Sequence, residues 1–344
     1  MHTMQRIEEI LEKVAYKTIE QHYESADMNY FVWDWQQGVG LYGLWKAYER
    51  LHDRRIYDFI KEYIDYHMQK GLGERTINTT APFLTVLKLY EATGQDSYRD
   101  ACEQQARFCM AEADRTIGGA LAHTVIGKKF SSQIWADTLF MGALFLSQWG
   151  ALTDNTMYCK EALRQLDLHY RYLTDEKTNL LFHGYDEKSR SHLSAVRWGR
   201  ANGWAIISTI EILESLKRPF SEYETIVERF VRHLDALLSY MQEEGSWNTV
   251  LDDPSSVKET TIGSCMCYGL KKGLEHHMLE ERYEAVYKQC LEALLADIKS
   301  DGEVLHTSGG TPIMESEQAY NEIPSVMSYY GQGLALLALS AGCQ

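Results

Sequence analysis

Arg197-Trp198-Gly199-Arg200-Ala201-Asn202-Gly203-Trp204 packs two guanidinium groups, two indoles and two glycines into one short stretch. It then runs into an apolar segment, Ala205–Leu213. Indole faces cover the apolar side of a sugar ring, and a guanidinium makes a forked pair with a carboxylate, so the combination suits a sugar acid. Arg200 and Trp204 stand four apart and share one face of a helix. The competing reading is structural: an Arg–Trp stack at the end of a buried helix.

Asp137 is the strongest candidate carboxylate. It follows Trp135 and precedes Thr138-Leu139-Phe140-Met141, at the start of an apolar helix. It is either an N-cap that accepts backbone N–H groups or a proton donor. An apolar, indole-lined setting raises its pKa and a helix N-terminus lowers it, and the residue types leave the balance open. His183, in Phe182-His183-Gly184-Tyr185, can donate to a sugar hydroxyl or carboxylate, orient a water, or serve as a structural hydrogen-bonding histidine; His123 reads the same way. Trp33 and Trp35, with Tyr30, form either one wall of a sugar slot or part of the core. Glu259 reads as a helix-start acid and Asp252-Asp253 as a turn before Pro254. A conventional glycosidase needs two carboxylates flanking the bond, and Asp137 is the one strong candidate.

The elements that position these groups are helical. Ile7, Ile10, Leu11 and Val14 make an i, i+3, i+4, i+7 face, and the pattern recurs along the chain. It predicts helices over 5–22, 38–52, 54–69, 82–93, 96–114, 136–150, 155–173, 200–217, 222–242, 259–275, 280–298 and 331–341. Links after even-numbered helices are short, as in Leu51-His52-Asp53 and Lys217-Arg218-Pro219, which makes antiparallel hairpins. Links after odd-numbered helices are long, and each ends in chemistry-bearing residues at the next helix start. The even helices are apolar all round and the odd ones amphipathic, so six inner helices are ringed by six outer ones. The fold class is all-α, an (α/α)6 barrel, as one domain over 1–344. The motif clusters converge on one mouth at the inner helices' N-termini, which suit an anionic ligand. Short β-hairpins are expected on its rim at 118–123, 180–185 and 245–250.

Composition narrows the partners. The 344 residues are 45% apolar and carry a net charge of −15, which repels nucleic acid and anionic membranes. No stretch reads as a signal peptide or spans a bilayer. The seven cysteines are scattered, and Cys265/Cys267 have no second pair nearby, so neither zinc nor another cofactor is expected. The setting is reduced and cytoplasmic, the partner a small oligosaccharide, and the state a monomer or homodimer.

Over essentially its whole length the chain resembles the unsaturated rhamnogalacturonyl hydrolases, glycoside hydrolase family 105, related to the unsaturated glucuronyl hydrolases of family 88. The resemblance rests on Trp33-Asp34-Trp35-Gln36-Gln37-Gly38, Ile77-Asn78-Thr79-Thr80-Ala81-Pro82, Trp135-Ala136-Asp137-Thr138-Leu139-Phe140-Met141, Arg197 to Trp204, Trp247-Asn248-Thr249-Val250-Leu251-Asp252-Asp253, and Tyr330-Gly331-Gln332-Gly333-Leu334. It implies an (α/α)6 barrel that removes a terminal 4,5-unsaturated uronic acid by hydrating its ring double bond. It implies Asp137 as the general acid/base. His183, Trp198, Arg200 and Trp204 would contact the uronate, with Arg200 its carboxylate partner, and Trp135 and His123 would line the pocket. Some members have a pocket aspartate where this chain offers Asn78, which holds a hydroxyl or water but cannot act as a base. Three rivals are a conventional inverting glycosidase pairing Asp137 with Glu259, a non-catalytic carbohydrate-binding toroid, and a sugar epimerase using His123 and His183.

Overall fold

A computed structural model describes residues 2–20, 26–216 and 220–343. Six helices form an inner layer: α2 (Trp35–Leu51), α4 (Phe83–Thr93), α6 (Leu144–Leu152), α8 (Gly199–Ser215), α10 (Thr260–Glu275) and α13 (Tyr329–Gly342). Each packs against the next, and α13 closes back on α2, so they form a ring. The amphipathic helices α1 (His2–Glu20), α3 (Arg54–Lys70), α5 (Asp96–Arg107), α7 (Thr156–Leu173), α9 (Tyr223–Leu238) and α11 (Tyr283–Ala296) pack outside it. A short helix, α12 (Glu317–Asn321), lies in the last long link and was not anticipated from periodicity. This is the expected (α/α)6 barrel. The predicted helix ends at Gln21, His22 and Lys217, and the Lys217-Arg218-Pro219 link, lie outside the described residues.

The ring closes where side chains are smallest. A Cβ on Gly43 would stand 2.3 Å from the Gly333 carbonyl oxygen, so α2 and α13 meet backbone to backbone. That seam accounts for Gly333, whose added Cβ would meet the Val39 and Gly40 backbone; one on Gly331 would meet Thr307 instead. At the end of the ring away from the helix N-termini, Glu211 of α8 is buried. It accepts from Tyr42 of α2, Tyr268 of α10 and Gln148 of α6, with Lys46 at 3.6 Å. One carboxylate therefore ties four inner helices together.

The β structure lies in the long links, at places that differ from the expected ones. A hairpin joins β1 (Thr124–Val125) to β2 (Lys128–Lys129), just beyond 118–123. The 180–185 piece makes no hairpin of its own: β4 (Gly184–Asp186) pairs antiparallel with β3 (Gln133–Trp135) from another link. The 245–250 piece makes single bridges, Trp198 with Val250 and Asn248 with Lys258. Strands this short gain too little alone, so β3 and β4 pair across two links that the helices already hold.

Candidate active site

The β3–β4 register brings the chemistry together. Trp135 lies opposite Gly184, and the Ala136 N–H donates to the His183 carbonyl at 3.1 Å. Asp137 and His183, 46 positions apart in sequence, therefore meet, with Asp137 Oδ2 and His183 Nε2 at 3.3 Å. Asn202 fixes the other side of that segment. Its amide accepts from the Leu181 N–H at 2.7 Å and donates to the Leu181 carbonyl at 2.9 Å. One member of the Arg197–Trp204 motif thus clamps the strand that carries His183.

Asp137 is not a helix cap. The chain enters α6 through a π-helical turn, Leu139–Ala143, whose capping position is Thr138, with no side-chain cap bond. The wider turn leaves the Asp137 carboxylate and Met141 facing a cavity of about 250 Å3. Trp35, Gln36, Asn78, His123, Phe130 and Trp135 also line it, and Gly310, Thr311 and Pro312 close one side. Larger clefts exist, but the one of about 870 Å3 lies between outer helices α7 and α9, away from these groups.

The walls are apolar and the polar groups few. The His123 ring stacks on Trp135 with centroids 4.2 Å apart and planes at 10°, and its Nδ1 lies 3.0 Å from the Thr138 hydroxyl. Burial lowers the His123 pKa to about 4, so the ring is neutral at pH 7. Burial alone would raise the Asp137 carboxyl. The facing His183 ring, and then His123, outweigh it, and the group lies below its ordinary value. In the free protein Asp137 is a carboxylate. Asp137 Oδ2, His183 Nε2 and Asn78 Oδ1 are all buried without a hydrogen-bond partner among the described residues. The Asp137–His183 contact is too poorly aligned to be one. Buried polar atoms rarely stay unpaired, and ones that converge mark a place where a ligand completes the bonding.

The other expected residues stand elsewhere. Trp33 does not reach the cavity: its indole donates to the Thr79 carbonyl at 3.1 Å, packs edge-on to Phe83, and lines a separate cleft. The two indoles straddle the helix-capping Asp34, so Trp33 turns towards α3 and α4 while Trp35 opens α2 facing the mouth. Trp204 is fully buried against Phe140 and Trp35. Trp198 is buried against His183, the ring planes tilted by 41° and the centroids 4.3 Å apart.

Arg200 corrects the expected carboxylate contact. It is fully buried and its guanidinium is already engaged, with Glu259 at 3.3 Å, the Thr261 hydroxyl, and the Ser308 and Gly309 carbonyls. It lies between the rings of Trp198 and Tyr330. The residues it grips lead directly into Gly310–Pro312, so Arg200 stands behind the cavity wall. Glu259 likewise spends its oxygens on Arg200, Thr261 and Ser308, so it offers no second carboxylate for an inverting pair. Phe130 and Gly310–Pro312 were missed because each is an ordinary loop residue whose place depends on tertiary packing; Gln36, in the first turn of α2, stood in the Trp33–Gly38 motif without being singled out.

No group of three or more His, Cys, Asp or Glu side chains among the described residues is placed to hold a metal ion. No helix among them is long and apolar enough to cross a membrane.

Comparison with known proteins agrees in fold and sequence. The model of Glycosyl Hydrolase Family 88 matches residues 10–342. An unsaturated rhamnogalacturonyl hydrolase of Bacillus subtilis is 33% identical over 313 residues, 90% of this chain and 89% of that one. An unsaturated 3S-rhamnoglycuronyl hydrolase of an Alteromonas species is 24% identical, over 89% of this chain and 76% of that one. A solved structure from Salmonella enterica, described as a possible GH105 member, superposes with a TM-score of 0.92 at 30% identity, covering 99% of this chain and 94% of that one.

Proposed function

Because the chain belongs to Glycosyl Hydrolase Family 88 and is a glycoside hydrolase of unsaturated uronyl residues, we propose that Asp137 drives the hydration of a C4=C5 double bond. The substrate would be a terminal unsaturated galacturonic acid linked to rhamnose, on a short pectin-derived oligosaccharide. The single observation that carries this reading is the lone carboxylate. Asp137 is the one acid lining the cavity among the described residues, and Asn78 holds the other buried polar position.

One carboxylate is enough for this reaction. Protonated Asp137 gives its proton to C4, and the double-bond electrons form the new C–H bond. Positive charge develops at C5 and is shared by the ring oxygen. Water adds at C5 and returns a proton to the Asp137 carboxylate. The resulting hemiketal opens by breaking its C5–ring-oxygen bond, and the hemiacetal left at C1 then releases the neighbouring sugar. Asp137 rests ionised, so binding has to arm it. A sugar ring that displaces water and brings a second carboxylate beside Asp137 pushes its pKa up. Trp35, Trp135 and Phe130 supply the apolar walls, and Asn78, Gln36 and His123 the neutral polar contacts.

Turnover in D2O tests the scheme. The product is expected to carry one carbon-bound deuterium at C4. A product that keeps its double bond and gains no deuterium there would move the reaction to direct hydrolysis at C1.

A further inference from the structure

We infer that two buried carboxamides, Gln165 on α7 and Asn202 on α8, are positioning residues for the hydrolysis: each holds the backbone that carries one of the two histidines beside Asp137. Their role rests on that of Asp137 as the proton donor. The histidines end matching segments, Leu121-Ala122-His123 and Leu181-Phe182-His183. Each segment returns antiparallel to the chain leaving an outer helix, Leu121 bridging to Arg115 and Leu181 to Thr174. Their N–H groups are spent in the same order. The middle residue donates to a carbonyl of that departing chain, Ala122 to Asp114 and Phe182 to Leu173, both at 2.9 Å. The histidine donates to a more distant stretch, His123 to the Gln133 carbonyl at 3.0 Å and His183 to that of Val196 at 3.1 Å. The leucine N–H donates to a side chain, Leu121 to Gln165 Oε1 and Leu181 to Asn202 Oδ1, both at 2.7 Å.

One-way partners fix both amides. Gln165 Nε2 donates to the Gly119 carbonyl at 3.1 Å and to the Glu161 carboxylate at 2.7 Å. Asn202 Nδ2 donates to the Leu181 and Trp198 carbonyls at 2.9 and 2.8 Å. Each oxygen is therefore the end that meets the leucine N–H. Both amides and both leucines are fully buried, so no water replaces a lost bond cheaply. Residues two apart on extended chain share a face, so a shift at Leu121 or Leu181 passes to the histidine ring. Those rings matter to the chemistry. His183 Nε2 stands 3.3 Å from Asp137 Oδ2, His123 stacks on Trp135, and the two hold the Asp137 carboxyl below its ordinary value against burial. A third carboxamide makes the same bond without that duty. Gln332 Oε1 accepts from the Val304 N–H at 2.7 Å, but His306, two places on, is exposed and does not line the cavity.

Gln165→Leu and Asn202→Leu are each expected to lower kcat about tenfold, because small misplacements at a reacting centre are costly. KM is expected to change little, since Trp35, Gln36, Asn78, Phe130 and Gly310–Pro312 come from other elements. Combined variants separate positioning from support of the fold. In a His183→Gln background Asn202→Leu is expected to cost little more, and Gln165→Leu likewise in His123→Gln. Gln332→Leu, whose clamp carries neither histidine, is expected to change kcat by the same factor with or without His183. If the losses multiply within the Asn202–His183 and Gln165–His123 pairs, or if kcat holds while KM rises, the inference is overturned. Should a leucine variant not fold, Asn202→Ser and Gln165→Asn, which leave room for a water, carry the same comparison. A second measurement needs no substrate. The 15N ring signals of His123 and His183 are assigned by their loss in His123→Gln and His183→Gln. Gln165→Leu is expected to move those of His123, and Asn202→Leu those of His183. Rings that stay put overturn the inference whatever the protein hydrolyses. If the unmodified protein turns over no unsaturated sugar, the proposal for Asp137 falls, and the ring signals still decide whether the amides hold the histidines.

Discussion

Asp137→Asn is expected to lower turnover by roughly two to four orders of magnitude while the sugar still binds, because general acid–base help is worth about that much. The substitution keeps the shape of the cavity, with Trp135, Met141 and His183 still around position 137. It removes the proton that C4 must receive and the base that must take one back from water. Binding is expected to hold or tighten, since one negative charge leaves a site that receives an anion. Single-turnover rates and calorimetric titration with an unsaturated disaccharide separate the two effects. A variant that keeps a near-native rate removes Asp137 from the chemistry. A variant that loses rate and affinity together makes it a binding residue.

Arg200→Ala is expected to damage the fold before it damages recognition. Arg200 and Glu259 form an ion pair with no exposed side-chain surface on either partner. Removing one partner of such a pair leaves an unpaired buried charge and costs about 3–5 kcal/mol. It also frees Ser308 and Gly309, which hold Gly310–Pro312 against the cavity. The urea midpoint of unfolding should fall clearly, and affinity should fall for neutral and anionic sugars alike. A direct carboxylate contact predicts the opposite pattern: stability intact and the loss confined to anionic ligands. The double change Arg200→Met with Glu259→Leu is the control. Removing both charges is expected to restore much of the stability, because apolar replacements of a buried pair are often neutral or better.

This contrast shows where the sequence could be read and where it could not. The alternation of apolar and amphipathic helices, with short and long links, is a local signal, and it led to the six-hairpin barrel. Asp137 stood out because a carboxylate between Trp135 and an apolar helix is either a cap or a proton donor, two readings that residue type alone does not separate. Its pairing with His183 was not legible, since it depends on the β3–β4 register between two links. The Arg197–Trp204 motif was legible as unusual, and both readings offered for it were reasonable. Arg200 and Trp198 do stack at a buried helix end, and the motif organises the mouth from behind, with Asn202 clamping the His183 strand and Arg200 the 308–312 wall. Nothing in residue type separates a guanidinium that grips a substrate from one that grips a loop; burial and partners decide. Trp33 and Trp35 are the same residue two positions apart, and only the start of α2 between them sends one outward and the other to the cavity.

The most direct test of the account is turnover of an unsaturated rhamnogalacturonan disaccharide, followed by the ultraviolet absorbance of its conjugated uronate, beside the saturated disaccharide. Hydration at C4=C5 predicts that the absorbance disappears as the sugar is released, and that the saturated compound is untouched. Cleavage of the saturated compound, or release of the sugar with the absorbance intact, would contradict it.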